Sequence, residues 1–247
     1  MSGDNKNTGL RNLLLVFLFI TVTIFTAFHE GYLPLISPLF WFFIAAGFLI
    51  AAWLALSLST VRFLSLMLGI FVIEYIKETI GVRGGFWVYH GVNGFYNFGV
   101  WAWVMGGMAA YAFSTKIVIR QVRKLSLHVP RWLNPAVLIV IFFMVPLTLG
   151  EYRSGAGVLF WLFYAVLLIS GIYASLRTDF HVFAGIVITA WVVGFPSEYV
   201  GSAGSGIWIF PHNPDYPPFF LVAGCWPLEI FAQYALSAFL AGEPLNP

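Results

Sequence analysis

Four glutamates in or beside long apolar stretches are the side chains of this sequence best suited to chemistry: Glu74, Glu78, Glu198 and Glu229. Glu74 and Glu78 are four residues apart and therefore share one face of a helix. A charge inside the hydrocarbon of a bilayer costs roughly 2.5 to 3.5 kcal/mol on insertion scales, so such groups normally face the protein interior or a cavity. Carboxyl groups held there can give and take protons, which is general acid–base chemistry.

A structural explanation competes with the catalytic one at each glutamate. Glu78 and Glu198 fall near the predicted membrane interface, where they can cap backbone groups or pair with Arg83 or Lys77. Glu74 lies at helical spacing from Lys77 and can form an ion pair with it. Glu229 has no basic neighbour in sequence, so its structural alternative is a protonated carboxyl that is hydrogen-bonded to another helix.

Aromatic and amide side chains near the glutamates are candidate substrate contacts. Trp226 and Gln233 lie about one helical turn on either side of Glu229, which suggests a pocket lining. Aromatic faces can stack on a polyene or stabilise a cation, although aromatic residues also form belts at membrane interfaces. The candidate substrate-binding residues are Trp87, Tyr89, Trp103, Trp208, Trp226 and Gln233.

Metal, cofactor and nucleic-acid functions have little support in the sequence. His90, His212 and Asp215 fall in outer loops, but the chain has no HxxxH, HxxHH or HExxH pairing. It also has no GxGxxG or Walker loop, so we expect neither a metal nor a cofactor. The formal net charge of +2 is too small to favour nucleic-acid binding.

The composition indicates a lipid environment, because 60% of the residues are hydrophobic, only 9% are charged, and the mean hydropathy is +0.89. A membrane span needs about 20 apolar residues, so 247 residues allow about eight spans in a single membrane domain. We therefore predict an all-α, polytopic membrane helical bundle. The predicted spans cover residues 10–28, 38–58, 61–80, 98–119, 132–149, 158–176, 180–200 and 219–240.

Basic residues in short loops predict the orientation. Arg120, Arg123, Lys124 and Arg131 lie between the fourth and fifth predicted spans, which places that connection in the cytoplasm. With eight spans, both termini then lie in the cytoplasm. We expect an integral protein of the plasma membrane.

An internal repeat divides the chain into two tandem four-helix units, at about 10–121 and 131–242. An even number of spans gives both units the same orientation, related by a pseudo-twofold axis along the membrane normal. Glu74 and Glu229 have no glutamate counterpart in the other unit. The matched pairs are Glu78 and Glu198, Gly81 and Gly201, Gly85 and Gly206, Trp87 and Trp208, Trp103 and Trp226, and the segments AAYAFS at 109–114 and AQYALS at 232–237.

These motifs resemble those of small integral-membrane enzymes of carotenoid biosynthesis. Pro227, Leu228 and Glu229 are similar to the Pro-x-Glu-Glu motif of heterodimer-type lycopene cyclases, with Ile230 in place of the second acid. A loop of bacterioruberin-type carotenoid hydratases resembles the segment that contains Glu78, Gly81, Gly85 and Tyr89. The resemblance covers about a third of the chain, namely the two outer loops and the spans that follow them.

The resemblance implies a membrane-embedded enzyme that protonates an isoprenoid or carotenoid alkene without a cofactor. Glu229 or Glu74 would be the acid, and Glu78 and Glu198 would be supporting carboxylates that remove a proton or direct water. The sequence does not distinguish cyclisation, hydration and isomerisation as the reaction. It is also compatible with a homo-oligomer. Two other classes also fit: a small proton-coupled transporter, and a non-catalytic lipid-binding or assembly protein whose glutamates are structural.

Overall fold

The computed structural model describes residues 58–89, 98–147, 157–199, 201–202, 208–211 and 219–243, together with Trp53 and Leu56; for residues 98–110 it describes the backbone alone. The predicted span at 10–28 and nearly all of that at 38–58 lie outside the described residues. Six α-helices form the described part: α1 Thr60–Arg83, α2 Phe98–Arg123, α3 Leu133–Phe142, α4 Val158–Ser175, α5 Phe180–Tyr199 and α6 Trp226–Ala241.

The six helices coincide with the third to eighth predicted spans, so the prediction of a predominantly helical chain is confirmed. The largest difference precedes α6, where a π-helical turn, Leu221–Cys225, replaces regular α-helix. Its geometry is fixed in part by Trp191, whose indole N–H donates to the carbonyl of Ala223 at 3.1 Å. Eight spans in two tandem repeats stay a prediction.

Two helices in the described part of the chain, α4 and α5, are long and apolar enough to cross a membrane. Their length and composition support membrane association. On α4 the exposed side includes Val158, Leu162, Val166 and Ile169, each more than half exposed. Such a continuous apolar surface is unfavourable in water and suits contact with lipid.

α1 has the polarity expected of a helix that faces lipid. Val61, Leu64 and Leu68 point outward and are 64%, 60% and 50% exposed. Glu74 and Glu78 point inward and are buried, with 1% and 4% of their surface exposed. This arrangement reverses the usual pattern of a water-soluble protein, in which charged residues lie outside. The polar side chains of α1 must therefore be satisfied within the bundle.

α6 is the central helix, and it packs against α1, α3, α4 and α5. It runs antiparallel to α1, and α2 packs against α5. Both pairs cross closely at a glycine: a Cβ on Gly69 would lie 2.9 Å from the carbonyl oxygen of Gln233, and one on Gly185 would lie 2.3 Å from Cγ1 of Ile119. Small residues allow such close helix contacts in membrane proteins. The contact between α1 and α6 positions the candidate site.

A short antiparallel strand pair connects two loops that the sequence predicted only as outer loops. β1 is Val88–Tyr89 and β2 is Trp208–Ile209. Val88 pairs with Ile209 and Tyr89 with Trp208. Gly85, at φ +70°, allows the chain to reverse after α1 and enter β1. The strand pair thus joins the loop after α1 to the loop after α5.

Candidate functional site

The ammonium of Lys77 lies among three glutamates in the interior of the bundle. Its Nζ is 2.5 Å from Oε2 of Glu74, 3.3 Å from Oε1 of Glu78 and 3.9 Å from Oε2 of Glu229. The side chain of Lys77 is 11% exposed, and those of the three glutamates are 1%, 6% and 2% exposed. We call these four residues the lysine-centred cluster. Lys77, Glu74 and Glu78 come from α1 and Glu229 comes from α6.

Neutral donors complete the surroundings of Glu74 and Glu229. Gln233 donates from Nε2 to Oε1 of Glu74 at 2.6 Å, one turn along α6 from Glu229. Tyr164 of α4 donates its hydroxyl to Oε1 of Glu229 at 2.5 Å. Three helices therefore contribute to this part of the site.

Glu78 is held by donors from β1 and the residue before it. Its Oε2 accepts a hydrogen bond from the indole N–H of Trp87 at 2.8 Å and another from the hydroxyl of Tyr89 at 2.7 Å. Burial, together with the neighbouring charge of Glu78, raises the pKa of Tyr89 well above its ordinary value. Tyr89 is therefore a protonated donor throughout the neutral pH range.

Glu198, at the end of α5, is bound by two indoles. Trp208 donates to its Oε2 and Trp226 to its Oε1, both at 3.0 Å. We call these three residues the tryptophan-held glutamate. Each of the two carboxylate oxygens thus accepts one N–H hydrogen bond.

The two glutamate loops share one local packing arrangement. Trp87 lies over Gly81, where a Cβ would be 2.0 Å from Cζ2 of the indole. Trp208 lies over Gly201 in the same way, and a Cβ there would be 1.7 Å from its Cη2. In each loop, glycine leaves the space that lets the indole fold back to the glutamate three residues earlier. In both loops, the glycine thus contacts the tryptophan of its own loop.

The structure brings most of the predicted site residues together. Glu74, Glu78 and Glu229 meet at Lys77, and Gln233 contacts Glu74. The indoles of Trp87, Trp208 and Trp226 were predicted as substrate contacts, and their N–H groups bind carboxylates. The side chain of Trp103 lies outside the described residues, as do His90, His212 and Asp215.

Two residues of the site were not among the predicted site residues. Lys77 was predicted only as a structural ion-pair partner, although its position between Glu74 and Glu78 in the sequence indicates that it belongs to the same site. Tyr164 lies in a long apolar helix, where no local pattern distinguishes it from the surrounding residues. Its role depends on the contact between α4 and α6.

The lysine-centred cluster can store and exchange protons. It combines three carboxyl groups with one ammonium, and each glutamate also has a neutral donor within hydrogen-bond distance. Within the described ranges, no group of three or more His, Cys, Asp or Glu side chains is placed to hold a metal ion.

Comparison of the chain with models of protein families, with curated proteins and with solved structures finds no match.

Proposed function

We propose that this protein is an integral membrane enzyme that adds a proton to a carbon–carbon double bond of a long isoprenoid or carotenoid chain. The observation that carries the proposal is the convergence of Glu74, Glu78 and Glu229 on the single ammonium of Lys77. The resemblance of the Glu229 and Glu78 motifs to carotenoid cyclases and hydratases supplies the substrate class.

Charge balance supports a proton store at this place. If all four side chains were ionised, the three carboxylates would exceed the one ammonium by two negative charges in a buried site. Uncompensated buried charge is costly, and a carboxyl group avoids that cost by binding a proton. The cluster therefore holds protons that it can deliver in surroundings poor in water.

The distances distinguish the roles of the two unmatched acids. Glu74 is 2.5 Å from Lys77 and also accepts from Gln233, which suits the ionised partner of the lysine. Glu229 is 3.9 Å from Lys77 and accepts a hydrogen bond from Tyr164 on its other oxygen. We therefore assign Glu229 as the proton donor and Glu74 as the carboxylate that pairs with Lys77.

The chemical step needs no redox partner. The proton of Glu229 bonds to one alkene carbon, and the π electrons leave a carbocation on the other carbon. In a cyclisation, a second double bond attacks this cation and a proton is then lost to a carboxylate. In a hydration, water attacks the cation and the resulting oxonium gives a proton to a carboxylate. Exclusion of bulk water prolongs the life of the cation, and aromatic faces stabilise it.

The proposal includes eight spans in two tandem four-helix units, at about 10–121 and 131–242, with both termini on the cytoplasmic side of the plasma membrane. The matched packing of Trp87 on Gly81 and Trp208 on Gly201 supports the duplication. So does the strand register, because Val88 and Ile209 each follow the tryptophan of their own loop and pair with each other. The proposed pseudo-twofold axis would pass through that pair.

The test is expression in hosts that accumulate different linear carotenoids or isoprenoids, followed by chromatography of the pigments. The wild-type chain should convert one substrate to a cyclised, hydrated or isomerised product, and Glu229→Gln should reduce conversion at least a hundredfold, within the range of general acid catalysis. Glu243→Gln, at the end of α6, is the matched control and should retain activity. Unchanged pigment with the wild-type protein across all hosts would refute the proposal.

A further inference from the structure

We propose that Lys77 is a positioning residue of this site, whose charge sets how many protons Glu74, Glu78 and Glu229 hold together. The inference rests on the proposed function for its consequence in catalysis. Its structural basis is independent: one ammonium lies within 3.9 Å of three carboxyl groups from two helices. Without it, the cluster would contain three acids and no cation.

The second unit has no counterpart of Lys77 or of Glu74 beside its loop glutamate. At the offset that aligns Glu78 with Glu198, Lys77 aligns with Ser197 and Glu74 with Gly194. A Cβ on Gly194 would lie 2.7 Å from Cε3 of Trp226, so an indole fills the space that an acid takes in the first unit. Glu198 accepts hydrogen bonds there from the N–H groups of two indoles. Lys77 thus accompanies the extra acids and is not part of the shared loop motif.

The charge of Lys77 acts on several titratable groups at once. Its direct partners are Glu74 and Glu78 on its own helix and Glu229 on α6. Glu198 of α5 interacts with it electrostatically at longer range. Two phenols face the cluster through these acids, Tyr164 of α4 on Glu229 and Tyr89 of β1 on Glu78. A neutral residue at position 77 should therefore make the whole group of acids retain protons to higher pH.

Infrared spectroscopy of the purified full-length protein in detergent tests this inference, because the C=O stretch of a protonated carboxyl is separate from that of a carboxylate. The wild-type protein should show a buried carboxylic-acid band at neutral pH that weakens in Glu229→Gln. In Lys77→Met the pH at which the band is lost should rise by about three units, the size expected for a unit charge about 4 Å away at an effective dielectric constant of about 20. Lys77→Arg should restore the wild-type midpoint.

The control is Lys116→Met, which removes another partly buried lysine, one that donates to the carbonyl of Leu56. It should leave the midpoint unchanged. Lys77→Gln gives the same comparison if Lys77→Met does not fold. A midpoint that is equal in Lys77→Met and wild type, or that Lys77→Arg fails to restore, would overturn the role of the charge.

The pigment assay separates this inference from the proposed function. Where the wild type is active, the pH above which Lys77→Met loses activity should rise with the infrared midpoint, and Lys77→Arg should return it to the wild-type value. If the wild type is inactive but the infrared midpoint of Lys77→Met is shifted, the proposed enzymatic activity is refuted and the role of Lys77 in proton retention is supported.

Discussion

The lysine-centred cluster and the tryptophan-held glutamate contain the same local motif and differ in the residues around it. In both, a glutamate near the end of a helix accepts a hydrogen bond from an indole that lies over a glycine. Around Glu198 a second indole completes a closed, neutral set of donors. Around Glu78 the surroundings contain a lysine and two further acids. The shared motif accounts for the contact between glutamate and tryptophan in each loop. The residues present only around Glu78, namely Lys77, Glu74 and Glu229, are those of the proposed proton chemistry.

The largest expected effect tests whether the shared motif is structural in both loops. Gly81→Ala and Gly201→Ala each place a Cβ inside the indole that covers the glycine, so the tryptophan must move away from its glutamate. Overpacking costs about 1 to 3 kcal/mol, and a buried carboxylate that loses a donor costs about 1 to 3 kcal/mol more. Each variant should lose about 2 to 6 kcal/mol of unfolding free energy, measured by denaturant titration in detergent micelles.

The matched control for these glycines is Gly157→Ser, because a Cβ on Gly157 meets no atom within 4 Å and serine is favoured at a helix N-terminus. It should change the unfolding free energy by less than about 0.5 kcal/mol. Equal stability of Gly81→Ala and wild type would show that the tryptophan does not need the space over the glycine.

Helix positions and the glutamate motif could be predicted from the sequence because both are local. Long apolar runs located α1 to α6 to within a few residues at most ends, and the repeated loop pattern identified Glu78 and Glu198. The spacing of Glu74 and Lys77 also predicted the ion pair that the structure contains. Each of these features depends on residues close together in sequence.

The parts that could not be predicted depend on contacts between distant segments. Glu229 has no basic neighbour in sequence, and it reaches Lys77 only because α6 packs against α1. Tyr164 reaches Glu229 from α4 for the same reason. The pairing of β1 with β2 requires both loops to meet at one end of the bundle. Helical periodicity tells which residues share a face, and it does not tell which helix that face meets.

A smaller effect should distinguish the two glutamates by how many donors each retains. Trp208→Phe leaves Glu198 with one indole donor, whereas Trp87→Phe leaves Glu78 with Tyr89 and Lys77. We expect Trp208→Phe to cost about 1 to 3 kcal/mol and Trp87→Phe to cost about 1 kcal/mol less, by the same denaturant titration. Trp132→Phe is the control, because Trp132 is 64% exposed. A larger loss of unfolding free energy in Trp87→Phe than in Trp208→Phe would contradict this prediction.

The smallest effect concerns the phenol that distinguishes the two loops. Tyr89 binds Glu78, and the corresponding residue of the second loop is Phe210, so Tyr89→Phe makes the first loop resemble the second. Glu78 keeps Trp87 and Lys77, and the variant should lose only about 1 kcal/mol near neutral pH. Tyr199→Phe, a change at an exposed tyrosine at the end of α5, is the control and should have no comparable effect.

The pH dependence of that loss gives the sharper test. The folded-state pKa of Tyr89 is raised above its ordinary value by burial and by the charge of Glu78. A group whose pKa is raised on folding contributes stability that is fully present below the unfolded pKa of about 10 and declines as the pH rises towards the folded value. The difference between wild type and Tyr89→Phe should therefore be constant from about pH 7 to 9 and shrink above about pH 10. A difference that grows above pH 10 would mean that Tyr89 is not held as a protonated donor to Glu78, and the distinction between the two loops would then rest on Lys77 and the two unmatched acids alone.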